Sequence, residues 1–73
     1  MYTVIPIPDR RKAYIVISPY RAKYCVNICK YSMRYRAWDG SNWIDPDWEV
    51  EDPDHGVRSA IGLAVLNFYH SHK

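Results

Sequence analysis

Apolar and polar positions alternate in the segments between residues 23 and 51 and pass to a helical period over residues 53–70. From Lys12 to Ser18 the run is short and rich in β-branched and aromatic side chains, which predicts a strand closed by the turn Ser18-Pro19-Tyr20-Arg21. Lys23 to Cys29 alternates, with Tyr24, Val26 and Ile28 on one face and Lys23, Cys25 and Asn27 on the other. Met33 to Trp38 alternates again, Met33, Tyr35 and Ala37 opposing Arg34, Arg36 and Trp38. Asp39-Gly40-Ser41-Asn42 then reverses the chain, because Asp-Gly supplies the positive φ angles of a tight hairpin turn. Beyond it, Trp43 to Glu51 is expected to be an edge strand, since Pro46 cannot donate to a ladder on its inner side.

The hairpin has a consequence for charge. With a turn of either two or four residues, Arg34 and Arg36 share a face with Asp45 and Asp47, and opposite charges are expected to meet across the strands. Asp52-Pro53 reads as a helix start, with Asp52 accepting from orphan amides, Pro53 pre-set for the first helical position and Asp54 favouring the positive end of the dipole. The helix is expected over 53–70, with Val57, Ile61, Ala64, Val65 and Phe68 as its core stripe. Residues 1–10 suit an extended arm or a proline-blunted edge strand. The expected fold is one α+β domain over 1–73: an antiparallel meander of four to five strands, the sheet over 12–51 with residues 1–10 as arm or further edge strand, and one C-terminal helix packed on one face.

A chain of 73 residues buries about 60% of its unfolded surface, enough for one modest core and too little for a large catalytic cleft. No stretch approaches the ~18 apolar residues of a membrane span, and Met1 to Pro8 has neither a basic leader nor a long apolar region, so the expected address is the cytoplasm. Residues 1–40 hold eight Lys/Arg against two Asp, a net +6, while residues 41–73 hold two against six Asp/Glu, a net −4.

Catalytic and metal chemistry find little footing in this chain. Cys25 and Cys29 with His70 and His72, and His55 besides, have the composition of a zinc site, but a C-x₃-C pair in a strand stands roughly 13 Å apart and suits neither one zinc ion nor a disulfide. The carboxylates from Asp45 to Asp54 lack the glycine-centred loop that wraps calcium. The serines have no nucleophile elbow, and a Gly-rich phosphate loop does not occur. The expectation is therefore a non-enzymatic protein with no cofactor, metal or small-molecule substrate.

Two surfaces remain for binding. The back of the helix carries Ser59, Gly62, Leu63, Leu66 and Tyr69 within one arc, which a two-layer fold leaves in water unless the arm with Val4, Ile5 and Ile7 folds over it. Together with Trp38, Trp43 and Trp48, the residues Leu63, Leu66 and Tyr69 form a candidate interface for a protein partner or, as a homodimer, for a second copy of the chain. In size and aromatic richness such a protein looks like phage-encoded inhibitors or regulators of host systems. The alternative is nucleic acid, on a sheet face expected to carry Tyr14, Val16, Lys23, Asn27, Arg34, Arg36, Trp38 and Trp43, where aromatics interleaved with cations can stack on bases and hold phosphates. Of that face, Tyr14, Lys23, Asn27, Arg34, Arg36 and Trp38 are the candidate contacts. The order of strands and then helix is similar, in architecture alone, to three-stranded DNA-reading domains such as the AP2 type.

Overall fold

The computed structural model describes residues 1–52 and 56–71. Five strands, β1 (Thr3–Pro6), β2 (Ala13–Ile17), β3 (Lys23–Ile28), β4 (Met33–Trp38) and β5 (Trp43–Ile44), form an antiparallel sheet in chain order, followed by a single helical turn, α1 (Trp48–Glu51), and the helix α2 (Val57–Ser71). The expected α+β meander with a C-terminal helix is the observed fold. Among the described residues, no helix is long and apolar enough to cross a membrane.

Register assigns the faces. Val4 pairs with Val16, Tyr14 with Val26, Val16 with Tyr24, and Tyr24 with Ala37, so these side chains share the helix-covered face with Ile28, Met33 and Tyr35. They meet Ile61 and Val65 of α2 in the core, where Val16, Val26, Ile61 and Val65 are fully enclosed. Tyr14 packs its ring edge-on to Phe68 at 5.8 Å. Tyr14 and Val16 are therefore core residues, which corrects their expected place on the open face. Ile15 and Ile17, paired with Cys25 and Lys23, stand there instead. Every residue from Ala13 to Ile17 is apolar, so either parity satisfies the periodicity and the partner strand decides.

The turn between β4 and β5 forms as its residues dictate. Trp38 pairs with Trp43, Gly40 takes φ +106°, and the Asp39 carboxylate accepts the amides of Ser41 at 2.7 Å and Asn42 at 2.6 Å. Those two amides, Asn42 first, hold the Asp39 carboxyl below its usual range. Beyond Ile44 the expected edge strand does not continue. Pro46 removes a ladder donor, and Asp47 accepts from the amide of Glu49 at 3.2 Å as the N-cap of α1. Leaving the ladder here brings Trp48 over the helix-side face, stacked on Tyr24 at 6.2 Å and edge-on to Tyr35 at 5.6 Å. Trp48 and α1 thus cover the β3–β4 half of that face, while α2 lies nearest β1 and β2.

Asp52 does accept orphan amides at the start of α2, though from further along the chain than expected: Gly56 at 2.7 Å, Val57 at 2.9 Å and Arg58 at 3.1 Å. The expected roles of Pro53 and Asp54 fall outside the described residues. The core stripe is as expected at Ile61 and Val65, with Val57 and Phe68 half-buried against the same cluster. Gly62 differs from expectation, being buried beneath Tyr35 and not on the helix back. A Cβ there would stand 2.9 Å from the Tyr35 hydroxyl, so glycine permits this approach of strand to helix.

Candidate nucleic-acid interface on the open sheet face

The face of the sheet turned away from α2 is built by the odd positions of β3 and the even positions of β4. Antiparallel pairing places Asn27 beside Arg34, Cys25 beside Arg36, and Lys23 level with Trp38, which in turn pairs with Trp43 of β5. Five of the six residues expected to meet nucleic acid, Lys23, Asn27, Arg34, Arg36 and Trp38, are thereby gathered on one surface, and Tyr14 leaves the set for the core. The Trp38 and Trp43 rings lie 5.1 Å apart at 60°, with Lys23 Nζ 5.9 Å from the centre of the Trp38 ring.

The expected neutralisation of the arginines does not occur. With β5 ending at Ile44, the chain departs before Asp45 and Asp47 reach positions opposite Arg36 and Arg34. Asp47 caps α1, Asp39 holds its own turn, and Asp52 caps α2. Among the described residues, neither the Arg34 nor the Arg36 guanidinium has a hydrogen-bond, ion-pair or ring partner, and both side chains are exposed. Further cations gather at one end of the sheet. In a meander the β1–β2 and β3–β4 connections share an end, which brings Arg10, Arg11 and Lys12 to the same rim as Lys30. Arg10 reaches from there onto the face, where its guanidinium donates to Asn27 Oδ1 at 3.4 Å.

The residues expected to form a protein interface divide among three places. Trp38 and Trp43 stand on the open face, while Trp48 and Tyr69 pack against the core on the other side. Leu63 and Leu66 remain on the helix back, 61% and 37% exposed, with β1 paired to β2 and not folded over them. They border an open groove of about 490 Å³ between α2 and β4, floored by Met33, Tyr35 and Gly62. Arg58, not singled out from sequence, closes one end of it, its guanidinium 5.3 Å from the Tyr35 ring and 5.5 Å from the Trp48 ring. The signal for it was a lone cation at the flank of the apolar stripe.

Cys25 is buried and Cys29 half-buried one residue past β3, both as free thiols. Among the described residues, no cluster of three or more His, Cys, Asp or Glu could hold a metal ion, and His55 and His72 lie outside them. Comparison with protein families, curated proteins and solved structures finds no match for this chain.

Proposed function

We propose that this protein is a small non-enzymatic binding module that takes nucleic acid on the open face of its sheet. The observation that carries this reading is the pair Arg34 and Arg36, exposed and free of acidic partners among the described residues, in register with Asn27 and beside Lys23, Trp38 and Trp43. Guanidinium groups with no internal carboxylate to give up are ready phosphate ligands, and each phosphate they neutralise releases condensed counterions. The expected result is binding of a fluorescein-labelled oligonucleotide, read by anisotropy, that weakens steeply as salt rises. Arg34→Ala with Arg36→Ala lowers the slope of log K against log salt by about 1.5, from roughly 0.7 to 0.9 for each phosphate left without its cation. Absence of binding at low salt, or an unchanged slope in the variant, overturns the reading. Two free thiols support a reducing compartment such as the cytoplasm as the place of action.

A second reading rests on Leu63 and Leu66 beside their apolar groove: pairing of two copies through α2, or modulation of a protein partner by occupancy, in the manner of a phage-type regulator. Leu66→Glu is expected to reduce the mass in sedimentation from dimer to monomer while the chain still unfolds cooperatively in urea, at a midpoint lowered only by the lost association. A wild-type chain that is monomeric at high concentration removes self-association from this reading.

A further inference from the structure

Resting on the nucleic-acid reading, we infer that the ligand is a single strand and that its bases stack on Trp38 and Trp43. The layout of charge across the sheet distinguishes one phosphate row from two. A duplex seated on a sheet presents a backbone along each flank, so its recognition calls for cations on both sides. Here the strand-borne cations form one line along the middle, Lys23 on β3 with Arg34 and Arg36 on β4. The β1–β2 flank offers Thr3, Ile5, Ile15 and Ile17, which have no charge for a phosphate. Past β5, the opposite flank ends at exposed Asp45, which repels one, before the chain crosses to the helix side. One backbone fits between these margins, and along the strands a second meets either the aliphatic surface of β1 and β2 or the Asp45 carboxylate.

The aromatic pair supplies the other half of the argument. Trp38 is 39% exposed, and the tilted Trp38–Trp43 pair lies at the end of the cationic line away from Arg10 and Lys30. Bases inside a duplex have their faces covered by their neighbours, whereas an unpaired base can lay its ring on an indole, an interaction tolerant of sequence. Lys23 Nζ lies over the Trp38 ring at 5.9 Å, so a base that stacks on that face displaces the flexible ammonium toward the strand's phosphates. A strand running along β4 therefore meets Arg34 and Arg36 with its phosphates and the two indoles with its bases.

The test compares a short labelled oligodeoxythymidylate with the duplex of the same length and with oligouridylate, together with intrinsic tryptophan fluorescence. Expected are tighter binding of the single strands than of the duplex, by about tenfold, and quenching of emission on binding. Trp38→Ala is expected to weaken single-strand binding roughly 5- to 150-fold, the span for removing the platform under one base, with Trp38→Phe restoring most of it. The third tryptophan, Trp48, packs on Tyr24, Tyr35 and Arg58 on the opposite face of the sheet, so quenching should vanish when Trp38 and Trp43 are both replaced. Duplex binding as tight as single-strand binding, or an equal loss of both in Trp38→Ala or Trp38→Phe, overturns this inference and leaves the nucleic-acid reading standing. If no oligonucleotide binds, both fall. Preference between the deoxy and ribose strands assigns the sugar and bears on neither.

Discussion

Replacing Ile61 with alanine is expected to lower stability by about 2–5 kcal/mol, the cost of losing a buried branched side chain and leaving a cavity where it stood. Ile61 has no solvent exposure and, with Val65 beside it on α2, belongs to the same core cluster as Val16 and Val26 of the sheet. A domain of this length has roughly 4 to 11 kcal/mol in total, so a large share rests on this one side chain. In urea the midpoint should fall with the slope preserved, because the surface exposed on unfolding is nearly the same. A loss below about 1 kcal/mol would mean that α2 does not rest on the sheet through this residue. Because Ile61 is far from the open face, nucleic-acid affinity per folded molecule should not change.

Asp52→Ala should cost about 2 kcal/mol, at the upper end for a helix cap, because one carboxylate here serves three amides and is itself buried. Amide exchange at Gly56, Val57 and Arg58 should quicken first, since those donors lose their acceptor while the rest of α2 keeps its internal bonds. Asp52→Asn retains one carbonyl oxygen and should lose about half as much. Unchanged exchange at the three amides in the alanine variant would show that water replaces the carboxylate at no cost. The consequence reaches Arg58, whose backbone amide is one of the three donors and whose guanidinium packs on Tyr35 and Trp48. Loosening the first turn of α2 should therefore also loosen the contact between α1 and the sheet.

Local chemistry decided much of this molecule. Alternation set the two faces of β3 and β4, Asp39-Gly40 made the hairpin, Asp52 marked the start of α2, and Ile61 and Val65 were recognisable as its buried stripe. From these followed the surface that gathers Lys23, Asn27, Arg34, Arg36 and Trp38, because strand parity is a local property. The segment from Trp43 to Val50 departs from its expected strand because local rules there allow two outcomes. Its alternation resembles a strand, but Asp47 as a cap and Pro46 as a missing donor favoured a turn of helix once Trp48 found Tyr24 and Tyr35 to pack on.

What sequence by itself determined is the type of β2, β3, β4 and α2 and, where polar and apolar residues alternate, their two faces. Tertiary structure alone decided which side of the wholly apolar β2 faces α2, that Trp48 and Tyr69 belong to the core, and that Arg34 and Arg36 keep no acidic neighbour among the described residues. The physical reason is common to all three. Burial and pairing depend on which residues, distant along the chain, come to lie opposite one another, and periodicity within a segment carries no record of that choice.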